Sequence, residues 1–335
     1  MSDLILGSFG ERLLEFLQSF SNDILDFFFG VVTTFGNTLP ILIIIVLLYY
    51  TYNKEYILKL LYLLILSAHL NSILKIFFHN PRPYVYDEKF KVTTQILRET
   101  TWGADGYSFP SGHSQTQGTL WGFVFQKYRN FSILIFGLVL LISVPLSRSY
   151  LGVHWPSDIL VGVIVGILVA FLYVQVDIRY GNYYTEKSDK TKLVFGFLGS
   201  LLLLILGFGV VFFTTFLFGS SLAPDLWNHS DLGVYPGIFA GVSIGKVFED
   251  NYICFKIYGR QPLRILIRII IGFASVVLLS LFTDKVSGLF ENFQSTIPWL
   301  SSIVDYCSYF ILAFTLILII PLLFTKIESI IFRSK

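Results

Sequence analysis

Nine stretches of this chain run through many consecutive apolar residues with few or no charges, each bounded by charge or by Pro and Gly. A membrane helix needs roughly 20 apolar residues to cross the hydrocarbon core. Inside that core only helices and closed barrels satisfy their own backbone polar groups. The stretches begin near Thr38, Ile57, Gly112, Ser132, Ile159, Leu193, Leu232, Leu263 and Ile297. They predict an all-α, polytopic membrane bundle of about nine transmembrane helices. Composition agrees, since 54% of the 335 residues are hydrophobic and only 14% charged, with mean hydropathy +0.70. A soluble domain carries about a quarter charged residues, so a disordered chain and an ordinary cytosolic domain are both excluded.

Residues 4–29 read differently. Apolar positions at helical spacing (Leu13, Leu14, Phe16, Leu17, Phe20) are interrupted by Glu11, Arg12, Asp23 and Asp26, the pattern of an amphipathic helix lying on the membrane surface. Residues 1–20 have neither the basic start nor the small-residue cleavage site of a secretory signal. The organisation expected is an interfacial segment at 1–37, a five-helix front half at 38–178 and a four-helix extension at 193–335, with a polar linker at 177–192 and no internal repeat. Cys254 and Cys307 make no C-x-x-C pattern and fall in a loop and a helix, so neither a disulfide nor a thiolate metal site is expected. A net charge of +2, with 24 basic residues scattered along the chain, carries no footprint for nucleic acid.

The basic residues matter through their placement. When successive loops are assigned to alternate sides, one side receives Lys54, Lys127, Arg129, Arg179, Lys187, Lys190, Lys192, Lys256, Arg260, Arg264, Lys326, Arg333 and Lys335. The other holds Arg12, Lys89, Lys91, Arg98 and Lys285, apart from three cations considered below. The positive-inside rule makes the first side cytoplasmic and the amino terminus external. The loop at 79–110, at about 30 residues longer than most connections, is then external, where long loops tend to carry function.

Three polar clusters border these spans. In Lys75-Ile-Phe-Phe-His-Asn-Pro-Arg82-Pro83 two cations stand two helical turns apart at the end of the second span. In Phe109-Pro110-Ser111-Gly112-His113-Ser114 the third span opens with its unpaired N–H groups, an anion-binding end. Here Gly112 admits close approach to the backbone, Ser111 can donate a hydroxyl, and His113 exchanges protons near neutral pH. In Ser147-Arg148-Ser-Tyr-Leu-Gly-Val-His154-Trp-Pro-Ser-Asp158 a carboxylate follows an imidazole by four residues, where on a helix it can fix the ring tautomer. Each cluster alone has an ordinary reading: snorkelling side chains, a Ser N-cap with an interfacial His, a capped helix beside a topology charge. Parity joins them, because the end of span two, the start of three, the end of four and the start of five lie on one membrane face.

The ordered spacing Lys-x6-Arg-Pro (Lys75, Arg82, Pro83), Pro-Ser-Gly-His (Pro110, Ser111, Gly112, His113) and Ser-Arg-x5-His-x3-Asp (Ser147, Arg148, His154, Asp158) resembles the complete three-part signature of the type 2 phosphatidic acid phosphatase superfamily. That superfamily takes in lipid phosphatases, glucose-6-phosphatase and vanadium haloperoxidases. The resemblance covers roughly residues 58–176. It implies that His154 is the nucleophile that takes the phosphoryl group, that Asp158 orients it, and that His113 protonates the leaving oxygen and then activates water. A neutral imidazole backed by a carboxylate is a competent nucleophile, and a covalent intermediate splits one hard step into two. Lys75, Arg82 and Arg148 would neutralise the equatorial oxygens, with Ser111 and the Gly112 amide completing the cradle. With those cations and no metal motif such as H-E-x-x-H, a metal-independent enzyme without cofactor is expected.

Other polar residues carry weaker readings. His79 and Asn80 either line the site or sit at the interface, His69 reads as a packed polar group inside span two, and Asp305 and His229 have no nameable partner. Residues 84–107, with Phe90 and Trp102, read as a cap over the site or an interfacial anchor. A site where helices meet headgroups suits an amphiphile whose phosphate lies at the interface, such as a polyprenyl pyrophosphate, phosphatidylglycerol phosphate, phosphatidic acid or a sphingoid phosphate. The expected function is a lipid phosphate or pyrophosphate hydrolase of the cell membrane, working on the external face and partnered by membrane lipids. The alternatives are a phosphotransferase using the same phosphohistidine and a carrier that keeps only the fold; nine spans argue against a haloperoxidase with its soluble body.

Overall fold

A computed structural model describes residues 3–90, 106–219, 226, 231–257, 261–294 and 297–332, and every regular element among them is helical. The helices are α1 (Gly7–Gln18), α2 (Asp23–Thr33), α3 (Thr38–Thr51), α4 (Lys54–Phe78), the short α5 (Pro83–Tyr86), α6 (Gly112–Lys127), α7 (Phe131–Tyr150), α8 (Pro156–Thr185), α9 (Asp189–Phe218), α10 (Val234–Phe248), α11 (Pro262–Gln294), α12 (Pro298–Phe314) and α13 (Ile320–Ile331). A helix begins within a few residues of each of the nine expected starts. By length and apolarity, however, six helical segments among the described residues suffice to cross a membrane, or seven if Asp23–Gly36 and Thr38–Thr51, bent by 51°, form one span. The shortfall lies in α3, α6 and α10, whose 14, 16 and 15 residues fall below a full crossing. Polar content adds to it in α6, where Ser114, Gln115, Gln117 and Thr119 are buried.

The amino-terminal stretch, read as a single surface helix, is two helices. Asn22 breaks it by capping α2, its Oδ1 accepting from the N–H groups of Ile24 and Leu25 at 3.1 and 3.0 Å. Nor is its polar side wholly solvated: Asp26 is buried, accepting from the hydroxyls of Tyr150 and Ser21. Asp3, also buried, accepts from the Ser157 N–H at 3.1 Å.

The chain divides into two compact units, one of residues 1–41, 66–179 and 213–219, the other of 42–65, 180–212 and 220–335. In the first, α6 lies directly against α8. A β-carbon at Gly166 would collide with the Gln115 carbonyl, one at Gly162 would come within 2.7 Å of the Ser111 carbonyl, and one at Gly118 would lie 2.5 Å from that of Val163. Small residues at this seam let two backbones touch, as membrane helices do where apolar burial alone gives little drive. The consequence is positional, since the seam brings the first turn of α6 to the first turn of α8. A polar ladder holds the other flank of α6: Gln115 Nε2 donates to the Ser67 carbonyl at 2.7 Å, and Asn71 Nδ2 to Gln115 Oε1 at 2.9 Å.

The second unit uses the same device, with Gly233 just ahead of α10 and Gly237 and Gly241 within it facing the carbonyls of Ser302, Tyr306 and Phe310. Its buried charges are paired, Lys54 with Glu249 at 2.6 Å and Arg268 with Glu328 at 2.7 Å. The π-turn Thr315–Ile319 leaves the Leu316 carbonyl to accept from the Tyr50 hydroxyl at 2.6 Å.

Candidate active site

The turn from α7 into α8 builds the centre of the site. Arg148 lies in the last turn of α7, and its carbonyl accepts from the N–H groups of Val153 and His154 at 3.1 and 3.2 Å, closing the chain into a tight reversal. Gly152 makes that reversal with φ +72°, a left-handed value that side chains resist. Trp155 follows, fully buried with Leu14 and Phe90, its indole N–H donating to the Pro81 carbonyl at 3.0 Å. Phe90 is therefore a packing residue beneath the turn. Trp155 caps α8 and Asp158 is its third residue, reaching back with Oδ2 to the Trp155 N–H at 2.8 Å in the manner of a capping box.

The same Oδ2 lies 3.3 Å from His154 Nδ1, so Asp158 both caps the helix and backs the imidazole. On the far side of the ring, Arg82 Nη1 lies 3.3 Å from Nε2. A guanidinium donates and never accepts, so Nε2 carries the lone pair and Nδ1 the hydrogen that faces the carboxylate. The ring is neutral, and its free electron pair points at the cations. Burial, reinforced by Arg82, Arg148 and Lys75, holds the His154 imidazole well below its usual titration range.

Arg82 is itself fixed, donating through Nε to the Gly106 carbonyl at 2.9 Å and through Nη1 to that of Val153 at 3.0 Å. Arg148 is different. It is fully buried and donates through Nη1 to Thr33 Oγ1 at 2.7 Å, but Nε and Nη2 have no protein partner. Buried donors left unpaired cost free energy, and an arriving oxyanion would satisfy both. Lys75, half-buried in the last turn of α4, is close enough to act electrostatically on both histidines.

Ser111 joins the helices, its N–H donating to the Asp158 carbonyl at 3.0 Å. Its hydroxyl oxygen accepts from Ser114 Oγ at 2.9 Å, which leaves its own hydrogen available. Gly112 opens α6 beside Asn71, whose Oδ1 would lie 3.2 Å from an added β-carbon. His113, buried, directs Nε2 at Asn37 Oδ1, 2.7 Å away. All eight residues named from the sequence (Lys75, Arg82, Ser111, Gly112, His113, Arg148, His154, Asp158) thus belong to one unit, at helix ends around one turn.

Thr33 and Asn37 escaped the sequence reading, because a lone Thr and Asn in an apolar stretch carry no spacing signal. Asn80 proves structural: fully buried, it accepts from the Ser108 N–H at 2.8 Å through its carbonyl and donates to Ser108 Oγ at 3.2 Å, pinning the approach to α6. His79, at φ 36°, turns into an aromatic group with its ring 4.7 Å from that of Phe218. His69 is buried in α4, and Asp305 accepts from the Ser287 hydroxyl at 2.6 Å. His229 and Trp102 lie outside the described residues. Both cysteines are free and exposed, and among the described residues no three His, Cys, Asp or Glu side chains gather as metal ligands would.

A helical membrane protein whose helix ends gather two histidines, a supporting carboxylate and three cations is of the class that handles tetrahedral oxyanions. Sequence comparison agrees. The PAP2 superfamily pattern matches residues 56–180, and that of the PAP2 superfamily phosphatase transmembrane extension matches residues 234–330, together well over half of the chain. The protein belongs to the PAP2 superfamily. An undecaprenyl-diphosphatase of Sulfolobus acidocaldarius is 38% identical over 72 residues, 21% of this chain and 34% of that protein, so the chain spans about a third of that relative's length. Among solved structures, LpxE of Aquifex aeolicus aligns with 49% of this chain and 93% of its own at 24% identity and a TM-score of 0.43.

Proposed function

We propose that this protein hydrolyses a lipid phosphate or diphosphate through a phosphohistidine, without a metal ion, at the external face of the cell membrane. The observation that carries the reading is the pairing of His154 and Arg148: a neutral ring with its Nε2 lone pair directed at cations, beside a buried guanidinium with two unpaired donors. In this reading the phosphoryl group binds between them. Its oxygens take the donors of Arg148, Arg82 and Lys75, and its phosphorus meets Nε2 in line with the leaving oxygen. Asp158 stabilises the charge that develops on the ring as the P–N bond forms. His113 gives a proton to the leaving oxygen and later accepts one from the attacking water. Fixed cations supply the charge neutralisation that phosphoryl transfer most requires.

The membrane helices on which the site stands favour a substrate whose tail stays in the bilayer. The name of the Sulfolobus relative places undecaprenyl diphosphate first among those to test. The experiment is phosphate release by purified protein in detergent, across polyprenyl diphosphate, phosphatidic acid, phosphatidylglycerol phosphate and a sphingoid phosphate. Hydrolysis of at least one, lost in His154→Ala, is expected. Release that depends on an added hydroxyl acceptor would instead assign a transferase, and no release from any of the four would reject the reading.

A further inference from the structure

In the mechanism above His154 has an orienting group and His113 has none. The structure supplies one from the stretch that the sequence placed outside the catalytic core. Asn37 follows the 3-10 turn Thr34–Gly36, and its Oδ1 lies 2.7 Å from His113 Nε2. Independent contacts tie this turn to the histidine. Gly36 packs against the imidazole so closely that a β-carbon there would collide with Cδ2 and come within 2.9 Å of both Cγ and the Val144 side chain. Gln117, one turn along α6, donates through Nε2 to the Phe35 carbonyl at 2.8 Å. At the start of α3 Asn37 also has one cap partner fewer than usual, because the third residue of that helix is Pro40, which has no N–H.

We infer that Asn37 is a positioning residue for His113, holding Nε2–H so that proton exchange with the substrate runs through Nδ1. The inference rests on the hydrolase reading above. An amide oxygen accepts and cannot donate, so Nε2 keeps its hydrogen in both protonation states. In the first step the Nδ1 proton passes to the leaving oxygen as its bond to phosphorus breaks and His154 Nε2 bonds to phosphorus. In the second, Nδ1 takes a proton from water as the water oxygen bonds to phosphorus and the P–N bond breaks. The charged and titratable groups whose fields reach His113 are Lys75 from α4, Arg82 ahead of α5, Arg148 from α7 and His154. A neutral amide orients the ring without drawing those cations away from the phosphate.

The test compares Asn37→Leu and Asn37→Asp on the best lipid phosphate monoester of the panel and on 4-nitrophenyl phosphate, whose leaving group needs no proton. Asn37→Leu should lower kcat on the lipid by about 10²-fold, the low end of what proton transfer is worth, with KM little changed. The burst of nitrophenol release should keep its rate. Asn37→Asp, nearly isosteric and still an acceptor, should retain activity, with the alkaline limb of its kcat profile moved to higher pH because a carboxylate favours the imidazolium. A nitrophenol burst slowed as much as lipid turnover, or an unmoved limb in Asn37→Asp, would overturn the inference, and Asn37→Asp keeps the test open if Asn37→Leu fails to fold. His154→Ala, run alongside, separates the two levels. Normal turnover there defeats the phosphohistidine route on which the inference rests, whereas a dead His154→Ala with Asn37 variants like wild type defeats only the role of Asn37.

Discussion

His154 and His113 are both imidazoles at helix ends, yet their surroundings differ enough to predict different mutants. His154→Ala removes the proposed nucleophile and should abolish phosphoenzyme and turnover alike. His113→Ala removes only proton transfer, about 10²–10⁴-fold, and should recover phosphoenzyme formation with an aryl phosphate, read as burst kinetics. Asp158→Asn should fall between, since it leaves the ring present without the charge that holds its tautomer. The depressed titration of His154 has its own signature. Its ring stays neutral as pH falls past the ordinary imidazole value of ~6.5, so the acid limb of kcat/KM, which reports the free enzyme, should lie below that value. The unfolded chain binds that proton first, so the same group costs stability as pH falls through ~6.5. An acid limb at the ordinary imidazole value that stays in place in the His113→Ala variant would contradict the assignment. These residues were legible because their spacing is local: Lys75 to Arg82, Ser111 to His113 and His154 to Asp158 each lie within two helical turns. Thr33 and Asn37 were not, since nothing local marks them.

At the scale of elements, the site depends on how closely α6 and α8 approach. Gly166→Leu places a branched side chain where the Gln115 carbonyl now sits, which should part the helices and separate Ser111 from Asp158. Lost activity and a lowered melting temperature in detergent are expected, and unchanged values for both would show that the seam does not hold the site. The docking of α2 on α7 offers a milder test. Asp26 is buried and accepts from Tyr150 and Ser21, so Tyr150→Phe strands a carboxylate short of one donor, at a cost of about 1–3 kcal/mol. Thermal unfolding should register it. Helix starts were readable from the chain because apolar runs and their breakers are local. The break at Asn22 and the burial of Asp3 and Asp26 were not, because a polar residue on an amphipathic helix looks the same in sequence whether water or a partner helix satisfies it.

For the whole molecule, the distribution of Lys and Arg predicts that residue 188 is cytoplasmic and residue 87 external. Single cysteines placed there in a chain with Cys254 and Cys307 replaced should react with a membrane-impermeant reagent accordingly, and labelling of 188 from outside intact cells would reverse the topology. Orthovanadate, which adopts the trigonal-bipyramidal geometry of the transition state, should inhibit phosphate release while EDTA should not; loss in EDTA restored by magnesium would refute the metal-free proposal. The sequence by itself determined an all-helical membrane chain and its family, because hydropathy runs and motif spacings are properties of neighbouring residues. Only the tertiary structure decided that α3, α6 and α10 fall short of full spans, which nitrogen of His154 bears the lone pair, and that the amino-terminal stretch reaches the site. The last follows from packing: Asn37 meets His113 across 76 residues and Thr33 meets Arg148 across 115. No local pattern encodes contacts that form only once α2 and the turn after it have docked against α6 and α7.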